Sequence, residues 1–357
     1  MKNEIIVLGE KENYKCYRIY PGNSDHSNLI NNKLEDLRST LKNLKYSNDV
    51  SAVNYELYVY ESGKANALSK REAGGYIIAI SSYLLFDIKD ELVSYMNNAI
   101  KKYFYGSKLN ARKHADKIHN YILLYIALHE NYHILNGHCD GFYLINYASV
   151  QKRTLNCERN FNKQIIEMDA DYCAVRSLIY LIDENTNRGV LESEILLGGF
   201  ALYFIFLKFQ EESYENITTI NINQLDHPPA SIRMNYSFAV IITCLSNIIN
   251  KEQLIRVINQ LFELCVYFDR VYYDADSTEK TLFAYSFTQA GQEYVKALFD
   301  GWPSIKDKLS SAAYINLRDN DTVEGNNRHF LNSEGKLMRV LNLDKRMELM
   351  VENLIKL

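Results

Sequence analysis

Residues 119–135, HNYILLYIALHENYHIL, would be apolar on every face of a helix but for the histidines, two asparagines and single carboxylate they carry. A helix of that kind has to be buried, so the rest of the chain must fold around it. The interior is a costly place for His129, Glu130 and His133 unless they are paired or bound to a cation. This stretch therefore constrains the architecture and the chemistry together.

A helix turns about 100° per residue, which sets His129 and His133, at i and i+4, on one face and one turn apart. Two nitrogens so placed can share a tetrahedral cation ~2 Å from each. Glu130 lies at the edge of that face, beside the position of a water polarised by such a cation, where a carboxylate can act as general base. The HExxH string alone is a weak signal because it arises by chance. The buried helix around it favours a site.

A catalytic zinc needs a third protein ligand and an open fourth position. The spacing HExxHxxGxxH would require glycine at 136 and histidine at 139, and the chain has Asn136 and Cys139. The other common solution takes a glutamate from a second helix. IIEMDADYCAV offers Glu167, with Asp171 one turn later on the same face. Glu167 is read as the third ligand, and Asp171 as the carboxylate that takes the second N–H of His129. The alternative is an acidic helix face in water, against which stand the apolar Ile165, Ile166, Cys173, Ala174 and Leu178. His138, after Gly137, reads as a helix C-cap residue, with metal contact as the alternative. Further on, DHPPASIRMNY sets His227 and Arg233 on either side of two prolines that suit a helix start. By itself this is a helix-start motif. Beside a metal site, His227 could donate to a developing oxyanion, with Arg233 orienting it or binding substrate.

The 357 residues suffice for one large domain or two modest ones, and 47% hydrophobic residues supply a sizeable core. With 40 basic against 44 acidic residues, the net charge of −4 offers no footprint for collecting phosphates, so no nucleic-acid partner is expected. Six widely spaced cysteines without a CxxC pair suit a reducing cytosol. The first residues carry no basic segment followed by a long apolar core, so no secretory leader is read there. The most apolar run, 195–207, is shorter than the ~18–20 residues that span a bilayer and reads as a buried helix.

Leu29, Leu34, Leu37, Leu41 and Leu44 predict a helix within 27–47, whereas VNYELYVYES and GGYIIAISS read as strands. Helices are predicted over 88–105, 112–136, 160–182, 191–212, 230–249, 251–268, 287–300 and 336–355, with loops at 273–281 and 317–329. The expected fold is α+β, mostly helical with a small sheet. Its expected parts are an N-terminal strand and helix segment over 1–50, a catalytic domain over 51–250 and a C-terminal helical extension over 251–357.

Four blocks in order across 66–233, "NAL…GGYIIAISSYLL", "HENYHILNGH", "EMDAD" and "HPPASIR", resemble the gluzincin metallopeptidases of the CAAX prenyl protease and HtpX type. The resemblance implies a zincin-like domain holding Zn2+ through His129, His133 and Glu167, with Glu130 as base and Asp171 behind the ligands. It implies His227 and Arg233 as transition-state partners. It also implies that Gly75, Tyr76, Ile77, Ile78 and Ala79 form the sheet edge onto which a peptide substrate adds as a further strand. The chain departs from that type in lacking membrane-spanning helices, in the extra stretch 86–119 and in Asn131-Tyr132 inside the motif, so a prenylated substrate is not carried over. The zinc helix alone is also similar to the Lit-type phage-exclusion peptidases, which implies cleavage of a host protein as an alternative role. The expectation is a cytoplasmic zinc endopeptidase acting on a protein or peptide. A non-catalytic regulatory or binding protein on the same scaffold is the alternative.

Overall fold

The computed structural model describes residues 3–8, 13–22, 24–44, 53–72, 74–103, 111–141, 156–209, 225, 227–272, 286 and 289–317. The expected helix 336–355 and the loop 273–281 lie outside the described residues, as does the loop 317–329 apart from Leu317. The chain divides into two compact units, Met1–Lys152 with Lys308–Asn316, and Arg153–Asp307 with Leu317–Leu357. The described elements are mostly helical with one mixed five-stranded sheet, an α+β composition.

In the first unit, β1 (Glu4–Leu8), β2 (Asn13–Tyr17), β3 (Tyr55–Tyr60), β4 (Ala67–Glu72) and β5 (Gly75–Ser81) form a sheet of order β1-β2-β3-β5-β4. β3 and β5 run parallel, and every other pairing is antiparallel. β3 and β5 are the aromatic and β-branched runs visible in the sequence. Their side chains alternate, with Tyr58, Tyr60, Ile77 and Ala79 joining Cys16 in one cluster. Leu57, Val59, Ile78 and Ile80, all fully buried, point to the opposite face.

The expectation that Gly75, Tyr76, Ile77, Ile78 and Ala79 line an open edge is corrected. β5 is hydrogen-bonded on both sides, Tyr76 standing opposite Tyr55 on β3 and opposite Arg71 on β4. Among the described strands the edge on this side is β4, whose sequence ALSKRE has no β-branched residue and no clean alternation. A half-exposed, charged strand is what a sheet edge tolerates, and that chemistry is what hides it from a pattern search. Gly75 starts β5 at φ +138°, and a Cβ there would stand 2.3 Å from the Asn54 carbonyl oxygen that accepts the Tyr76 N–H. Only glycine fits.

Among its described residues this unit also has the helices α1 (Asp25–Asn43), the single turn α2 (Ser82–Leu85), α3 (Ile88–Tyr103) and α4 (Ala111–Leu135). Ser24 caps α1 by accepting the Ser27 N–H at 3.1 Å. Its buried stripe is Ser27, Ile30, Leu34, Leu37 and Leu41. Leu29, counted in the stripe from its spacing, is 37% exposed because it sits one residue off that face. α3 packs along α4, and α4 packs on β4 and β5.

The second unit is helical in its described residues: α5 (Asn156–Asn185), α6 (Leu191–Phe209), α7 (Ala230–Leu245), α8 (Lys251–Tyr272) and α9 (Gln289–Leu309). α6 contains the most apolar run and is buried almost throughout, against α5, α7 and α8. No described helix is long and apolar enough to cross a membrane. α9 passes its predicted end at 300 and continues through Pro303. The proline removes one backbone donor, and the turn persists because Leu298, Trp302 and Ile305 extend the buried stripe.

Two outcomes follow from this packing. Gly75→Ala lowers the unfolding free energy by about 1–3 kcal/mol from backbone strain, whereas Gly63→Ala, with nothing within 4 Å of the new Cβ, leaves it unchanged; urea midpoints compare the two. His119 donates from Nε2 to the Leu84 carbonyl at 2.7 Å, and burial pushes its pKa down to about 4. The unfolded chain protonates near pH 6.5, so its contribution is complete above that pH and falls, by roughly 1.4 kcal/mol per unit, as the pH drops toward 4. His119→Gln, which keeps a donor, flattens this part of the stability profile between pH 7 and 5.

Candidate metal centre

α4 delivers its two imidazoles as the spacing requires. His129 and His133 are 7% and 9% exposed, and their Nε2 atoms face each other at 3.0 Å with the rings near perpendicular. Two nitrogens held ~2.0–2.1 Å from a tetrahedral ion stand about 3.3 Å apart, so this pair is close to ligand spacing. Glu130 is 8% exposed, and its charge adds to burial and Tyr14 in holding the Tyr60 phenol well above its usual pKa. That influence connects the carboxylate to the β3 side of the sheet.

The end of α4 is shaped by Gly137, which adopts φ +76° after the helix stops at Leu135. Glycine takes the left-handed position that ends helices, and the chain re-enters a helical turn at His138. His138 is therefore not the capping residue. Its ring folds back instead, placing Nδ1 3.0 Å from His133 Nδ1. The Tyr314 N–H caps the helix by donating to the Leu135 carbonyl at 2.8 Å. A Cβ on Gly137 would lie 2.6 Å from the carbonyl carbon of Ala312, so this residue must stay small.

The edge strand runs beside the same turn. Arg71 on β4 pairs with Asp140 at 2.7 Å, and Asp140 also accepts from the Tyr76 hydroxyl, which contacts the Tyr314 hydroxyl at 2.8 Å. The Cys139 thiol donates to Ser69 Oγ on β4, and burial pushes its pKa up to about 12. A thiol so held is a poor metal ligand at neutral pH.

In the second unit, α5 carries Glu167 and, one turn on, Asp171. Asp171 is fully buried and receives the Arg233 guanidinium in a two-pronged pair, Nε to Oδ2 at 2.8 Å and a terminal nitrogen to Oδ1 at 2.7 Å. Tyr236, one turn along α7 from Arg233, adds a hydroxyl donor to the same carboxylate. Arg233 also lies 4.5 Å over the Phe206 ring. Its side chain is only 4% exposed, so it is turned inward rather than toward substrate or His227, as the sequence suggested. It ties α7 to α5. His227 stands just before Pro228 and Pro229, the latter preceding the first residue of α7; it is 58% exposed, with Nε2 3.4 Å from Glu167 Oε2.

His129, His133 and Glu167 form a group that could hold a metal ion: each offers one ligand atom, and these atoms all lie within 4.8 Å of one another. The donor set of two imidazole nitrogens and one carboxylate oxygen suits zinc. Sequence spacing singled out these three, Glu130 and His227; Asp171, expected to take the second N–H of His129, receives Arg233 and Tyr236. The spacing missed the His138–His133 contact, which depends on the turn at Gly137, and Tyr236, whose signal was its i+3 spacing from Arg233. The chain matches no protein-family model, no curated protein and no solved structure.

Removing one partner of a buried ion pair leaves a stranded charge. Arg233→Met, which abandons the Asp171 carboxylate, is expected to cost about 3–5 kcal/mol in chemical denaturation. Asp171→Leu combined with Arg233→Met recovers much of that loss, a coupling that a double-mutant cycle measures.

Proposed function

We propose that this chain is a zinc-dependent endopeptidase with a zincin-like catalytic core, acting on a protein or peptide in a reducing, cytoplasmic setting. The observation that carries the reading is the convergence of His129, His133 and Glu167 within 4.8 Å, with the acid Glu130 adjoining the first histidine. The order of the four sequence blocks supports it further. The five described cysteines, none in a disulfide, support the compartment.

His129 and His133 would hold zinc through Nε2, and Glu167 through a carboxylate oxygen. A zinc ion bound there supplies a Lewis acid that polarises a carbonyl and makes water more acidic. Glu130 accepts the proton of the attacking water and passes it to the leaving amine, as a general base and then a general acid. His227, exposed and beside Glu167, is positioned to donate to the oxyanion that forms on the substrate carbonyl. Asp171, Arg233 and Tyr236 hold α5 and α7 together, which keeps Glu167 and His227 at one place. The substrate strand moves from β5 to β4, the sheet edge that runs beside the end of α4. An extended peptide adds there through main-chain hydrogen bonds.

The test is digestion of denatured casein or a peptide library, with elemental analysis of the same samples. About one zinc per chain is expected in the parent and in Glu130→Gln, while that variant loses roughly 100-fold or more in cleavage rate. Cleavage undiminished in Glu130→Gln, or a parent that binds no zinc, would overturn the reading.

A further inference from the structure

The geometry points to His138 as a positioning residue for the metal: it holds His133 by the ring nitrogen that faces away from His129, so that Nε2 is presented to the ion. The inference rests on the metal-centre reading above and adds a residue to it.

Metal-binding imidazoles are commonly held by an acceptor for the second ring N–H, which fixes the tautomer and the ring plane. That acceptor is most often a carboxylate, a backbone carbonyl or water. For His133 the side chain in that position is another imidazole. Its Nε2 faces His129 Nε2 at 3.0 Å, and its Nδ1 faces His138 Nδ1, also at 3.0 Å. The two contacts lie on opposite nitrogens of one ring. If Nε2 offers its lone pair to a metal, the neutral ring carries its proton on Nδ1. That N–H then donates to His138 Nδ1, which must offer a lone pair, leaving the His138 proton on Nε2. With His133 Nε2 given to a metal, this is the pair of tautomers that keeps the contact to His138.

The backbone around His138 is built for the contact. It is five residues beyond His133, so a continued helix would turn its side chain to a different face. Gly137, at φ +76°, reverses the chain and brings the ring back, and His138 ends 3% exposed with the rings 5.0 Å apart at 70°. The close approach of Ala312 to Gly137 and the Tyr314 N–H on Leu135 hold the turn in place. An imidazole differs from a carboxylate in carrying no charge in this tautomer. The ligand set therefore keeps the net charge of one carboxylate, that of Glu167, which leaves the bound ion a stronger Lewis acid than a charged partner would.

The experiment measures zinc affinity of the full-length chain, stripped of metal, by competition with a chromophoric chelator, independently of any peptidase activity. His138→Leu is expected to weaken zinc binding 10- to 100-fold. His138→Asn, whose side-chain oxygen can occupy the Nδ1 position as an acceptor, is expected to restore affinity to within a few-fold. Circular dichroism and the metal-free melting temperature check the fold of both. In the zinc-loaded parent, nitrogen–proton correlation spectra of the histidines should show His133 protonated on Nδ1 and His138 on Nε2. A parent that binds zinc while His138→Leu binds it equally well sinks the role of His138 and leaves the metal centre standing. The opposite tautomers in the parent spectrum sink it too, even if the leucine variant fails to fold. A parent that takes up no zinc removes the metal centre and this inference together.

Discussion

Polar groups inside an apolar helix are stable only when something answers them, and α4 is organised by that constraint. Its surroundings exclude water from His129, Glu130 and His133, each less than a tenth exposed. Exclusion of water makes each contact electrostatically stronger and each missing partner more costly. His129 meets His133, and His133 meets His138, so the imidazoles answer one another along a chain of rings. The same surroundings would strengthen the grip on a cation.

The second unit solves a similar problem with charge. Asp171 sits fully buried on α5, and the ion pair to Arg233 with the added Tyr236 hydroxyl satisfies both carboxylate oxygens. Arg233 is suited to this because its planar fork matches a carboxylate and its face packs on aromatic rings such as Phe206. The consequence is mechanical. Two helices that carry Glu167 and follow His227 are joined by one buried polar lock, and disturbing the lock displaces both side chains.

Local spacing carried much of this in the sequence itself. HExxH on an apolar helix identified His129, Glu130 and His133 because the i, i+4 period is a property of the helix alone. Glu167 and Asp171 were visible for the same reason, and α6 was legible as a buried helix from its all-round apolarity. β4 was not legible, since an edge strand of Ala, Leu, Ser, Lys, Arg and Glu needs neither alternation nor branching. The role of Arg233 was misread because its sequence neighbourhood, a helix start after two prolines, says nothing of how deeply the side chain is buried.

What the sequence determined by itself is the chemistry on single elements: which helix is buried, which face carries the imidazoles, and where proline and glycine begin and end a turn. These follow from periods and backbone preferences that act within a few residues. Tertiary structure alone decided that β5 is covered by β4, that His138 returns onto His133, and that Arg233 turns in toward Asp171. Each of those depends on a partner distant in the chain or on a backbone reversal, and the energy of such a contact is set by distance and burial, which no local pattern encodes.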